Sequence, residues 1–359
     1  MVSIFLVTLS SWFDGLSSVY CMMFAKFSRI SPREKAPALA LLVFFVFCGC
    51  LCPALVLADN NEIVHAVCFH PSDRGPLTIQ STDLTLASPL LVQKNLKIKV
   101  TWPVEKGVYP LLLWSHGVTA TPDVYPALID HWVSHGYIVM AARHRDSRDI
   151  PQKDRAVSFE NWQERPKEAS FILDQLSTIE KAIPDLSGKI DHHHIAAGGY
   201  SFGGQTALLL AGAGQKDGIH LRDDRVQAVI AISPAGPRDF FHPSSYATIA
   251  TPMLITAGTR DTAKYPDQFL GPGWRWHTSP YYFSRRGDQY LAVATLAYHD
   301  YRGIEATAPD QESLYVEALQ RLTLDFLDLY LKAAQNARAD LRPLRVFGET
   351  CGIIRFFRR

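Results

Sequence analysis

A serine, an aspartate and a histidine follow one another along this chain, each at the end of an apolar run, and together they could carry out acyl transfer. Ser201 stands in Gly199-Tyr200-Ser201-Phe202-Gly203, a G-x-S-x-G pattern in which a strand turns sharply into a helix and presents a serine at the turn. The glycines let strand and helix pass close together, which explains five of them in "AAGGYSFGGQTALLLAGA" despite their entropic cost. A phosphate-binding loop is the alternative for a glycine-rich turn, but no Lys follows the glycines and the G-x-G-x-x-G spacing is missing. A serine hydroxyl is a weak nucleophile, so it needs a base, and the base needs an orienting acid. Downstream, "PMLITAG" runs into Thr259-Arg260-Asp261, and "YLAVATLA" runs into Tyr298-His299-Asp300-Tyr301. Asp261 is the expected acid and His299 the expected base; Asp267, Asp288 and Asp300 are weaker alternatives for the acid.

Acyl transfer also needs donors for the developing oxyanion. The backbone N–H of Phe202, next after the nucleophile, is one expected donor. The second is expected at Val118, in the Ser115-His116-Gly117-Val118 loop, with His116 bracing that loop. The run Asp191-His192-His193-His194 suggests a metal, but consecutive side chains diverge, and the run sits directly before the strand leading to Ser201, at the opposite end from the elbow. No metal and no organic cofactor is expected.

These residues need a frame. Short apolar runs recur from residue 97 onward: "KIKVTW", "PLLLWSH", "YIVMAA", "HIAAGG", "VQAVIAIS", "PMLITAG" and "YLAVATLA". Continuous apolar strands of this kind suit a parallel sheet covered on both faces. Helical periods lie between them, at Ile172, Leu176, Ile179 and Ile183, and again at Val316, Leu319, Leu322, Phe326 and Leu329. Strand and helix alternate, which predicts an α/β domain with a mostly parallel central sheet and helices on both faces. The stretch 262–289 is expected to be an irregular aromatic loop, with Trp274 and Trp276 lining the substrate pocket.

The 359 residues carry 36 Lys and Arg against 35 Asp and Glu, so no charge bias points to nucleic acid or to an anionic membrane surface. Residues 36–58, "APALALLVFFVFCGCLCPALVLA", are uncharged and follow Lys26, Arg29, Arg33 and Lys35. That order predicts a secretory signal cleaved after Ala58, or an uncleaved membrane anchor, with Met22 or Met23 as an alternative start. The expected domains are residues 1–58 as leader and 59–359 as the catalytic unit, exported to a periplasmic or extracellular space. Of six cysteines only Cys68 and Cys351 remain after such a cleavage, and an oxidising compartment would let them pair.

The stretches "LLLWSHGVTATPDVYPALIDHWVSHGYIVMAARHRDS", "ERPKEASFILDQL", "GKIDHHHIAAGGYSFGGQTALLLAGA", "TPMLITAGTRDT" and "YHDY" resemble the predicted dienelactone hydrolase group of the α/β-hydrolase superfamily. That group is similar to platelet-activating-factor acetylhydrolases, chlorophyllases and cutinase-like esterases. The resemblance covers about residues 97–335. It implies an α/β-hydrolase fold, Ser201, Asp261 and His299 as nucleophile, acid and base, and Val118 with Phe202 as oxyanion donors. Dienelactone hydrolase itself carries Cys at the elbow, so the serine points to carboxylic esters, a small or lipid-like substrate among them. Phospholipase or peptidase action on the same fold, and a noncatalytic exported binding protein, are the competing readings.

Overall fold

The computed structural model describes residues 44–47, 50–53, 74–152, 155, 161–214, 218–237, 241–262, 273–305, 313–350 and 352–359. The chain divides into two units, Met1–Ala66 and Val67–Arg359. In the first, β1 (Phe44–Phe47) pairs antiparallel with β2 (Cys50–Pro53), Phe47 opposite Cys50. This hairpin lies within the apolar stretch expected to be a leader; the rest of that stretch is outside the described residues. Among the described residues no helix is long and apolar enough to cross a membrane.

The second unit is built on nine strands: β3 (Ile79–Ala87), β4 (Asn95–Pro103), β5 (Tyr109–Ser115), β6 (Ile138–Ala142), β7 (Ile190–Tyr200), β8 (Val226–Ile232), β9 (Met253–Gly258), β10 (Gln289–Ala294) and β11 (Ile354–Arg358). Their order across the sheet is β11-β10-β9-β8-β7-β5-β6-β4-β3. The six from β6 to β10 run parallel, while β4 and β3 at one edge and β11 at the other run antiparallel to their neighbours. All seven apolar runs singled out in the sequence are strands of this sheet. The edge strand β3, "IQSTDLTLA", leaves no apolar run because it is mostly exposed and polar, as an edge strand can be.

Side-chain alternation splits each central strand between two cores. In β5, Leu111 and Leu113 face one layer while Leu112 and Trp114 face the other. The first layer is closed by α2 (Asn161–Asp174), α3 (Leu176–Ala182) and α4 (Phe202–Leu210), the second by α1 (Pro126–Ser134) and α7 (Leu314–Leu331). The shorter helices are α5 (Pro243–Tyr246), α6 (Ser279–Phe283), α8 (Gln335–Asp340) and α9 (Pro343–Glu349). The period through Ile172, Leu176, Ile179 and Ile183 is not one helix: α2 ends at Asp174 and α3 at Ala182, with Ile183 already outside. The C-terminal period is one helix, started by Ser313, whose hydroxyl accepts from the Val316 N–H at 3.2 Å. Each leucine or isoleucine fully buried between sheet and helix contributes roughly 1.5–3 kcal/mol.

Within 262–289 the expected loop is partly helical. A 3₁₀ segment over Gly273–Thr278 leads into α6. Residues 263–272 lie outside the described residues.

Candidate functional site

The parallel strands β5 and β7 to β10 all end at one edge, where the loops after them converge, the place where open α/β sheets hold their ligands. Ser201 follows β7 directly and precedes α4. Its backbone is left-handed, at φ 54° and ψ −115°, a strained conformation for a residue other than glycine. The turn is fixed from both sides, by the Ser201 N–H donating to the Ile232 carbonyl at 2.8 Å and the Gln205 N–H donating to the Ser201 carbonyl at 3.2 Å.

The flanking glycines are demanded by space. A Cβ on Gly203 would sit 1.8 Å from the Ser115 carbonyl oxygen, and one on Gly199 would sit 2.2 Å from the Gly203 backbone. Helix α4 therefore rests on the end of β5 with no room for a methyl group. Gly203→Ala should destabilise the protein by roughly 3 kcal/mol or more, since only backbone can give way. Urea unfolding at neutral pH measures this, and an unchanged midpoint would contradict it.

Asp261 follows β9, and its N–H donates to the Gly258 carbonyl at 3.0 Å. The turns after β9 and β10 are stitched together. The N–H groups of Thr259 and Arg260 donate to the carbonyls of Ala294 and Ala297, each at 2.9 Å, and the Leu296 N–H donates to the Thr259 hydroxyl at 2.7 Å. A Cβ on Gly258 would fall 2.3 Å from the Ala297 carbonyl oxygen, so this contact requires glycine. Beneath the second turn, the buried Tyr301 hydroxyl lies 2.8 Å from the Thr256 hydroxyl and 3.1 Å from that of Ser233.

This stitching brings three side chains into line. His299 Nε2 lies 2.9 Å from Ser201 Oγ, and His299 Nδ1 lies 2.8 Å from Asp261 Oδ2. The imidazole is 41% exposed and the carboxylate 4%, so the ring meets solvent while the carboxylate is enclosed. Burial by itself would raise the Asp261 carboxyl, but its contacts with His277 and His299 outweigh that and hold it well below the usual carboxylate range. The other acid candidates lie elsewhere: Asp300 is exposed and accepts from the Arg302 N–H at 3.1 Å, Asp288 pairs with Arg358 at 2.6 Å, and Asp267 is outside the described residues.

His277 was not singled out in the sequence. It is buried, its Nδ1 donates to the Pro234 carbonyl at 2.8 Å, and its Nε2 lies 3.0 Å from Asp261 Oδ1. Asp261 is thus held between two histidines from different loops. Asp261, His277 and His299 offer ligand atoms within 4.8 Å of one another, the one such grouping among the described residues that could take a cation. The two aromatic candidates beside it differ. Trp276 is buried and donates its indole N–H to the Pro237 carbonyl at 2.8 Å, while Trp274 is partly buried with the Arg275 guanidinium 4.8 Å over its ring. The histidine run opens β7 at the opposite end from Ser201, where His194 pairs with Asp191 at 2.7 Å and His192 with Glu180 at 3.2 Å.

The loop after β5 carries Val118, 53% exposed, over a fully buried polar floor. His116 Nε2 accepts from the His144 N–H at 3.2 Å and the Ser147 hydroxyl at 2.8 Å, and its Nδ1 donates to the Gly117 carbonyl at 2.7 Å. Every position on this ring is used in the neutral form, and burial, with Arg165 nearby, pulls its pKa down to about 3. His116 therefore braces the loop. The sequence held a signal for this floor in "AARHRDS", a polar cluster immediately after β6.

Below it, Glu168 Oε2 lies 2.5 Å from His144 Nδ1, and burial pushes the Glu168 carboxyl up to about 8. A protonated carboxyl donates to Nδ1, leaving His144 Nε2–H for the Ser115 hydroxyl at 3.2 Å. A raised folded pKa contributes stability that is present below the unfolded value of about 4.3 and lost as pH rises towards the folded one. His116 and His144, both lowered mainly by burial, contribute an opposite slope that ends near the unfolded histidine value of about 6.5. Between about pH 6.5 and 8.5 the wild type should therefore lose thermal stability relative to Glu168→Gln. Melting curves across that range measure it, and parallel curves would contradict the assignment.

The chlorophyllase family model matches residues 72–242, which include the loop after β5 and Ser201 and stop short of Asp261 and His299. The chain is 27% identical over 190 residues to chlorophyllase type 0 of Chenopodium album, covering 48% of this chain and 49% of that one. It is 26% identical over 182 residues to platelet-activating factor acetylhydrolase of Cavia porcellus, covering 40% of each, and 27% identical over 187 residues to chlorophyllase-2 of Arabidopsis thaliana, covering 47% and 53%. It spans about half the length of the curated relatives it matches. The mostly parallel nine-stranded sheet with the strained serine turn at its centre is an α/β-hydrolase fold, and the chain is similar, at modest identity, to chlorophyllases and platelet-activating factor acetylhydrolases.

Proposed function

We propose that this protein hydrolyses carboxylic esters through an acyl-enzyme. The observation that carries the reading is the line from Ser201 Oγ through the His299 ring to Asp261, with both contacts at hydrogen-bond distance. Ser201 Oγ attacks the ester carbonyl as His299 Nε2 takes its proton. The tetrahedral intermediate collapses, the C–O bond to the alcohol breaks, and the same proton passes to the leaving oxygen. Water, deprotonated by His299, then attacks the acyl-serine and releases the acid and the free hydroxyl. Asp261 holds Nδ1–H and steadies the imidazolium that forms at each step. The N–H groups of Phe202 and Val118 receive the oxyanion, each contributing about 3 kcal/mol in comparable sites. No metal or organic cofactor enters this scheme.

Relatives named chlorophyllase and platelet-activating factor acetylhydrolase support ester chemistry without fixing the substrate. The acyl or alcohol pocket is assigned to the segment that holds Trp274 and Trp276, next to His277. Residues 36–58 would direct export or anchor the chain, and a bond between Cys68 and Cys351, both outside the described residues, would suit that destination. A panel of p-nitrophenyl esters of increasing acyl length, run beside a phospholipid and a dipeptide anilide, tests the reading. Turnover of the esters with an inert anilide is expected. Cleavage of the anilide alone would overturn it in favour of a peptidase.

A further inference from the structure

Arg165 belongs to α2, yet its guanidinium is spent on the loop that carries Val118. It is fully buried. Nε and Nη2 donate to the two oxygens of Asp146 at 3.1 and 2.6 Å, a two-pronged pairing that fixes the plane of the fork. Nη1 then reaches the His116 carbonyl at 2.6 Å and Nη2 the Gly117 carbonyl at 3.3 Å. Asp146 in turn accepts from the Thr119 N–H at 3.1 Å and the Asn161 side chain at 2.7 Å. One buried ion pair thereby holds the backbone of residues 116, 117 and 119.

The consequence for residue 118 follows from peptide geometry. In a trans peptide the N–H points opposite to the preceding carbonyl. The Gly117 carbonyl is drawn inward by three donors, His116 Nδ1 at 2.7 Å, Arg165 Nη2 and the Ala120 N–H at 3.2 Å. The Val118 N–H is therefore turned outward, away from that floor. On its other side the guanidinium carbon lies 4.4 Å from the centre of the Phe202 ring, so the same cation packs against the residue that supplies the other expected donor.

We propose that Arg165, locked by Asp146, is a positioning residue of the oxyanion site, setting the direction of the Val118 N–H and seating Phe202 at the start of α4. The proposal rests on the esterase reading of Ser201. Lysine could keep the charge beside Asp146 but not the planar fork that reaches two carbonyls at once. A misdirected donor weakens transition-state binding and leaves ground-state binding in place.

Two variants test this: Arg165→Lys, which retains the ion pair, and Arg165→Gln combined with Asp146→Asn, which removes the buried pair without leaving a lone charge. Each is assayed on a p-nitrophenyl ester and on its thiono analogue, whose C=S sulfur gains far less from hydrogen-bond donors, with circular dichroism and melting recorded alongside. The expected result is a fall in kcat on the oxo ester of roughly 10²- to 10³-fold, with KM nearly unchanged and a clearly smaller fall on the thiono ester. A folded variant with wild-type kcat, or equal losses on both esters, would overturn the proposal. Failure of both variants to fold would also overturn it, by assigning Arg165 to stability alone. A wild type that turns over no ester and takes no fluorophosphonate at Ser201 would instead refute the esterase reading itself.

Discussion

Ser201→Ala is expected to lower kcat on any ester substrate by on the order of 10⁶-fold, with the melting temperature little changed. The hydroxyl forms the protein's only covalent bond to substrate in the proposed scheme, so no neighbour can take its place. The fold should tolerate the change because Ser201 is half-exposed, alanine pays no more than serine at φ 54°, and His299 Nε2, left without Oγ, can turn to water. What survives is whatever the oxyanion donors and substrate binding achieve alone, about 10³- to 10⁴-fold over water in comparable sites. Steady-state assays with the wild type as reference decide it; residual activity within a hundredfold of wild type would place the nucleophile elsewhere.

Asp261→Asn is expected to cost about 10⁴-fold in kcat with the geometry largely kept. An amide facing His299 Nδ1 favours donation to that nitrogen, which moves the ring proton to Nε2 and leaves no lone pair for the serine proton. The same change should alter acid stability. The folded Asp261 carboxyl is held low by His277 and His299 against the opposing effect of burial, so its stabilisation is present above the unfolded value of about 3.9 and is lost as pH falls below it. The asparagine variant lacks that contribution, and the gap in melting temperature to the wild type should close as pH drops from about 6 towards 3. Activity within tenfold of wild type, or a gap that widens in acid, would contradict the role given to Asp261.

How far such a site can be read from sequence depends on which physical signal each residue leaves. Strands buried on both faces, such as "PLLLWSH" and "PMLITAG", announce themselves as unbroken apolar runs, so the central sheet and its chain order were visible. Ser201, Asp261 and His299 could be placed because each follows such a run within a few residues, and the steric needs at Gly199, Gly203 and Gly258 are local. His277 and Arg165 leave no comparable trace. His277 sits among aromatics in a segment without periodicity, and it meets Asp261 only because the loops after β8, β9 and β10 converge. Arg165 lies inside a helix where an arginine is ordinarily a solvated face; its burial depends on Asp146, nineteen positions away, arriving from the loop after β6. The edge strand β3 failed for the opposite reason, since its exposed polar face removes the apolar run on which strand recognition relies. Trp276 shows a third limit, because residue type alone carries no sign of the bond that ties its indole N–H to the Pro237 carbonyl.

The most direct test of the central claim is the site of covalent capture. The purified protein, treated with a fluorophosphonate, digested and mapped by mass spectrometry, should carry one adduct, on the peptide that contains Ser201, and Ser201→Ala should carry none. An adduct that persists in the alanine variant, or that maps to another residue in the wild type, would contradict the account.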